Sequence, residues 1–169
     1  MRKIENEYLC VMVDDQGAQL SSLYDKKKAR ELLWSADPAV WGYHAPVLFP
    51  FVGMVNNGQY RYKGETYQIR QHGFARQSLF ECTAHTDLSV THRLTAGDET
   101  RKLFPMDFCL EVTHTLEEGS LRVGWKVTNP SPEDPLFFSI GAHPGFTVPL
   151  CEQDRKEDCF VLFHGCDEL

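Results

Sequence analysis

Phe108-Cys109-Leu110-Glu111-Val112-Thr113-His114-Thr115-Leu116-Glu117-Glu118-Gly119-Ser120-Leu121-Arg122-Val123-Gly124-Trp125-Lys126-Val127 reads as two strands and the turn that joins them. Phe108, Leu110 and Val112 alternate with Cys109, Glu111 and Thr113, and Leu121, Val123, Trp125 and Val127 alternate in the second strand. Side chains along a strand point to opposite faces in turn, so period two marks a strand buried on one side. Cys109 blurs the contrast between the faces of the first strand, while Glu117-Glu118-Gly119-Ser120 carries the polar and glycine residues of a hairpin turn.

The same alternation spreads outward from this hairpin. Gln59-Tyr60-Arg61-Tyr62 and Thr66-Tyr67-Gln68-Ile69 flank Lys63-Gly64-Glu65 as a second hairpin. Phe80 to Thr86 and Leu88 to Thr95 predict two further strands, followed by a polar loop from Gly97 to Lys102. Ala18 to Trp34 predicts two strands around Lys26-Lys27-Lys28, with a short helix as the other reading. Asn129 to Pro135 is a loop, because its prolines remove ladder donors. Cys159-Phe160-Val161-Leu162-Phe163 predicts a last strand whose open apolar edge invites pairing with another chain, so a homo-oligomer is expected through that edge. Helical periodicity is scarce, and the fold class is all-β, an antiparallel β-sandwich formed as one domain over residues 1–169.

Composition narrows the function. The formal net charge is −7 and the longest basic run is Lys26-Lys27-Lys28, which argues against nucleic acid and anionic membranes as partners. No stretch approaches the roughly 18 apolar residues of a membrane span, and Met1-Arg2-Lys3-Ile4-Glu5-Asn6-Glu7 lacks an apolar signal core, so a cytoplasmic protein is expected. The six cysteines form no Cys-x-x-Cys pair and do not cluster with histidines at zinc-finger spacing, which predicts free thiols and no structural metal. The ending Cys166-Asp167-Glu168-Leu169 fits neither a prenylation box nor an ER-retrieval tail.

Two of the seven histidines stand in unusual company. His72, in Gln71-His72-Gly73-Phe74-Ala75-Arg76, follows a predicted strand, and Gly73 leaves room for a ligand or another backbone to come close. His143, in Gly141-Ala142-His143-Pro144-Gly145-Phe146, is pushed toward extended backbone by Pro144 and bracketed by glycines. Either ring also suits a plain structural role, bonded to a loop carbonyl. His44, His85, His92, His114 and His164 read as ordinary strand or loop residues.

From about Trp34 to Phe146 the chain resembles the aldose 1-epimerase (mutarotase) family, in the branch found in bacterial sugar-utilisation operons. The matching words, in order, are Ala45-Pro46-Val47-Leu48-Phe49-Pro50-Phe51-Val52-Gly53, Gly58-Gln59-Tyr60-Arg61-Tyr62, Gln71 to Arg76, Val127-Thr128-Asn129 and Gly141 to Phe146. The resemblance implies the antiparallel supersandwich of galactose mutarotases, with this chain as the N-terminal part of a longer domain. It implies a small-molecule sugar, a hexose or hexose phosphate, whose α and β anomers interconvert by ring opening. A base takes the anomeric hydroxyl proton while an acid protonates the ring oxygen, so two groups of opposite protonation state face each other across the sugar. By the match His143 corresponds to the general acid and His72 to the histidine that hydrogen-bonds near the ring oxygen. Proton transfer of this kind needs neither metal nor nucleotide, so no cofactor is expected.

Three family parts have no counterpart here. The catalytic base is a glutamate near the C-terminus of full-length members, and Glu152, Glu157 and Glu168 follow His143 too soon to be equated with it. A carboxylate that grips sugar hydroxyls also lies beyond the matched region, so the chain by itself is expected to be inactive. The family arginine after Phe-Pro-x-x-Gly is Met54, and a thioether cannot donate the hydrogen bonds of a guanidinium. Asn56 and Arg70 are the candidates to stand in for it. Arg70, Arg76 or Lys63 would recognise a phosphate, although Arg76 also reads as an internal ion-pair partner. Phe146, with Trp34, Trp41 and Tyr43, offers an aromatic face for stacking on a sugar. The alternative to an epimerase is a non-catalytic carbohydrate-binding or sensing β-sandwich.

Overall fold

The computed structural model describes residues 1–151 and 153–164. Its strands are β1 (Arg2–Glu5), β2 (Leu9–Val13), β3 (Leu20–Asp25), β4 (Arg30–Glu31), β5 (Val47–Leu48), β6 (Gln59–Tyr62), β7 (Glu65–Gln68), β8 (Glu81–His85), β9 (Ser89–Thr95), β10 (Cys109–Glu117), β11 (Ser120–Thr128) and β12 (Gly141–Ala142). One antiparallel sheet runs β1-β2-β3-β4 and the other β11-β10-β9-β8, with the small pairs β12-β5 and β6-β7 beside them. Among the described residues no helix is long and apolar enough to cross a membrane.

The hairpin between Phe108 and Val127 is β10-β11, closed at Glu117↔Ser120 around Glu118 and Gly119. Leu110, Val112, His114 and Leu116 of β10 all point into the core and are buried. Their cross-strand partners Val127, Trp125, Val123 and Leu121 face the same way. Yet Val123 and Trp125 keep 38% and 37% of their surface exposed, because β11 is an edge strand with a neighbour on one side only. The β6-β7 hairpin turns on Lys63 and Gly64 alone, both at positive φ, so Glu65 belongs to the strand rather than to the turn.

Two apolar clusters hold the sheets. Phe49, Phe74, Phe104 and Phe108 form the centre of one, and Ile4, Val11, Val13, Leu33 and Val90 the centre of the other. Five cysteines, Cys10, Cys82, Cys109, Cys151 and Cys159, are free, while Cys166 lies outside the described residues.

Two expectations are corrected. The polar stretch from Gly97 to Lys102 is not a loop: after Gly97 it lies in the helix α1 (Asp98–Leu103). Thr100 Oγ1 accepts the Gly97 N–H at 2.8 Å, acidic residues open the helix and basic ones close it, matching the dipole without any apolar periodicity. Cys159 to Phe163 forms no strand among the described residues, and Phe160 is 84% exposed. Among the described residues no neighbouring strand offers it a ladder, and Phe160, Val161, Leu162 and Phe163 stay exposed.

His92 on β9 and His114 on β10 are the buried polar residues of the core. His92 Nε2 lies 2.9 Å from Asp15 Oδ1, and Arg2 Nε donates to the same carboxylate at 3.0 Å, tying the first sheet to the second. The Arg2 guanidinium, with His92 and the N-terminal ammonium behind it, holds the Asp15 carboxyl well below the usual range. Among the described residues His114 has no such partner and its buried Nδ1 is unbonded, and burial pushes its pKa down to about 4.

Because the folded chain buries neutral His114 while the unfolded chain protonates it from about pH 6.5 downward, this contribution is complete above pH 6.5 and lost as pH falls toward 4. Roughly 3 kcal/mol of stability should disappear across that window, by 1.36 kcal/mol for each pH unit. Urea denaturation between pH 4 and 7 checks this, and His114→Leu is expected to flatten the slope.

Candidate functional site

The backbone first brings the two histidine segments to one place. β5 pairs with β12 in the register Gly141↔Leu48 and Ala142↔Val47, which puts His143 just past the end of that ladder. The segment is clamped on its other side as well: Trp34 N–H donates to the Gly145 carbonyl at 2.9 Å, Gly145 N–H to His44 O at 2.8 Å and Thr147 N–H to Leu32 O at 2.9 Å. Just beyond β5, the Phe49 carbonyl accepts N–H groups from Phe74 at 3.0 Å and Ala75 at 3.2 Å. A parallel bridge, Phe49↔Gly73, completes the junction.

His72 sits there in an uncommon conformation. Its φ is 68°, the left-handed region that side chains with a Cβ seldom adopt, and Gly73 follows at 70°. A reciprocal pair of hydrogen bonds holds it: His72 N–H donates to Gly53 O at 2.8 Å, and Gly53 N–H donates to His72 Nδ1 at 3.0 Å. A backbone N–H is always a donor, so Nδ1 is the acceptor and the proton of the neutral ring lies on Nε2. Burial, then the charges of Arg76 and His143, lower the His72 pKa, which favours this same neutral form.

The rings of His72 and His143 lie 5.8 Å apart between centroids at 36°. Trp41 meets His143 edge-on from another side, 5.0 Å between centroids at 71°. Tyr43 lies next to Trp41 at 6.1 Å and carries the Arg76 guanidinium over its face at 5.1 Å. His72, His143, Trp41, Tyr43 and Arg76 therefore form one cluster, assembled from three separate parts of the chain.

Of the other polar candidates Arg76 alone joins this cluster. Arg76 has no carboxylate partner among the described residues, so the ion-pair reading is corrected: the guanidinium donates to Gln71 O at 3.0 Å and stacks on Tyr43. Lys63 is engaged by Asp134. Asn56 is an exposed residue of the 3₁₀ turn Asn56–Gly58. Met54 is 70% exposed. Phe146 bridges to Leu33 and faces the opposite way from His143, since alternate residues of an extended segment point to opposite sides. With Ala142 and Pro144 it lines an apolar groove of about 320 Å³ that also contains Trp125 and His114. Glu157 lies in the exposed turn Lys156–Asp158, and Glu152 and Glu168 are outside the described residues.

Sequence reading missed two parts of this cluster. Gly53 was legible as the end of a motif, but its double hydrogen bond with His72 joins positions 19 apart, and nothing local announces it. The stacking of Arg76 on Tyr43 is likewise a product of the tertiary fold.

Residues 2–157 match the aldose 1-epimerase family. The chain belongs to that family. Among curated relatives it is 37% identical over 166 residues to protein LacX of Lactococcus lactis subsp. lactis, an alignment that covers 95% of this chain and 55% of LacX. Among solved structures, a galactose mutarotase related enzyme from Lactobacillus acidophilus superposes with a TM-score of 0.89 at 42% identity, covering 92% of this chain and 52% of the other. A galactose mutarotase-like protein from Lactobacillus casei gives 0.84 at 38% identity, covering 90% and 51%. The chain thus spans about half the length of the family relatives it matches. The antiparallel sandwich is the galactose mutarotase-like fold.

Proposed function

We propose that this chain carries the histidine side of an aldose 1-epimerase site and forms part of a longer mutarotase-like domain that interconverts the α and β anomers of a hexose or hexose phosphate. The observation that carries the reading is the pairing of His72 and His143 at 5.8 Å, in a family of sugar epimerases. His143 protonates the ring oxygen as the bond from that oxygen to the anomeric carbon breaks. A base removes the anomeric hydroxyl proton, the open aldehyde turns, and the reverse steps close the ring on its other face. His72, neutral with its proton on Nε2, donates a hydrogen bond toward the ring oxygen. Arg76 stands beside them as a cation able to meet sugar hydroxyls or a phosphate, and Asn56 is a more distant contributor.

By the family resemblance the base is a carboxylate to which no described residue of this chain corresponds, so the 169-residue protein is expected to accelerate anomer exchange little. NMR exchange spectroscopy on glucose, galactose and their 6-phosphates tests this. A protein that joins this chain to a second half of the length found in its relatives is expected to accelerate exchange, and failure to do so for every sugar rejects the reading. General acid help is worth ~10²–10⁴ in rate, so His143→Ala in that protein should cost most of its activity.

Exposed Met54 at the arginine position favours a second reading, a non-catalytic carbohydrate-binding sandwich. Saturable sugar binding in calorimetry together with no exchange in the longer protein would select it. The half-exposed β11 edge motivates association between copies of the chain, which sedimentation velocity tests directly, a monodisperse monomer counting against it. The free thiols motivate a reducing, cytoplasmic location, to be checked by cell fractionation.

A further inference from the structure

His143 presents an exposed imidazole, and no hydrogen bond to its ring nitrogens exists among the described residues. An unbonded, exposed ring samples several rotamers, so an acid that must meet one oxygen needs something else to hold it. Trp41 is the group in place to do so, edge-on at 5.0 Å and 71°, with His72 on another side at 5.8 Å.

Trp41 is itself fixed by groups outside the histidine pair. Its backbone N–H donates to Asp37 O at 2.8 Å, and its carbonyl accepts the Trp34 indole N–H at 2.8 Å. The ring lies over Gly145, where a Cβ would stand 2.9 Å from Trp41 Cζ3 and 3.0 Å from Trp34 Cβ. The glycine two residues past the acid is therefore the space into which the indole fits. Gly145 N–H and carbonyl are both bonded, to His44 and Trp34, so the backbone cannot withdraw to make room for a larger residue.

We propose that Trp41 is the positioning residue for His143, seated by Gly145 and holding the imidazole toward His72. This rests on the reading of His143 as the acid. A T-shaped aromatic pair of this kind is worth roughly a factor of 2 to 10 in the population of the aligned rotamer. In a longer, active protein Trp41→Ala should lower kcat by about that factor with KM little changed.

The decisive test needs neither sugar nor turnover. In ¹H–¹³C and NOE spectra of the 169-residue protein, the His143 ring protons are expected to show cross-peaks to the Trp41 ring and a ring-current shift. Trp41→Ala should abolish both, Trp41→Phe should restore part of the shift, and Gly145→Ala should weaken the cross-peaks while leaving Trp41 present. Unmoved His92 and His114 signals establish that each variant is folded. If Trp41→Ala disturbs those signals, the comparison of wild type with Gly145→Ala and Trp41→Phe decides. His143 resonances that are the same in the folded variants as in the wild type overturn the proposal. Loss of anomer exchange with these NMR results intact would instead count against the epimerase reading.

Discussion

Gly73→Ala is expected to destabilise the protein by about 2–5 kcal/mol, adding the penalty for a left-handed residue to that for overpacking. A Cβ at Gly73 would stand 2.2 Å from the Phe49 carbonyl oxygen, 2.5 Å from its carbon and 2.7 Å from Pro50 Cδ. The first two are backbone atoms, held by the N–H groups of Phe74 and Ala75, so no side chain can swing aside to accept the methyl group. Something in the Phe49–Gly73 bridge must give, and His72 is attached to that bridge. Gly53→Ala provides the control: its φ is 81°, but no atom lies within 4 Å of the added Cβ. Only the left-handed penalty of about 1–2 kcal/mol remains there. Urea denaturation of the two variants should separate them by about one to two tenfold steps in the folding constant, and equal losses would mean that the close approach is not rigid.

Phe49→Ala is expected to cost about 3–5 kcal/mol, the range for removing a fully buried aromatic ring. Phe49 is completely buried, with the rings of Phe108, Phe138, Phe104 and Phe74 at centroid distances of 5.0, 5.7, 6.3 and 6.4 Å. Phe74, Phe104 and Phe108 also pack against one another and cannot all collapse into the space, so the cavity term adds to the lost transfer energy. Its backbone also carries the junction at His72. The variant should therefore lose stability and, in the fraction that remains folded, broaden the His72 resonances. A loss below 1 kcal/mol would show that Phe138, on the exposed side, refills the cavity.

The strands were readable because burial on one face imprints period two on the sequence. Leu110, Val112 and Leu116 follow it closely, and their β11 partners share the apolar row although the edge leaves them half covered. The helix α1 was not readable, since six residues with no buried face carry no periodicity and owe their shape to a cap and end charges. Cys159 to Phe163 shows the converse: an apolar, aromatic-rich composition does not make a strand where no neighbour among the described residues pairs with it. At the candidate site, His72 and His143 were found by their glycine-rich words. Phe146 shares a word with His143 yet faces the groove, because residues three apart in an extended segment point to opposite sides. The tautomer of His72 and the seating of Trp41 depend on contacts between distant segments, which local sequence does not encode.

The claim that His72 and His143 form one sugar site has a direct test in the protein as it stands. Titrating the 169-residue chain with glucose, galactose and their 6-phosphates, while following the histidine ring signals by ¹H–¹³C NMR, should move His72 and His143 together along one saturation curve. Buried His92 and His114 should stay where they are. Signals of His72 and His143 that do not respond to any of these sugars, or that saturate at different concentrations, would contradict it.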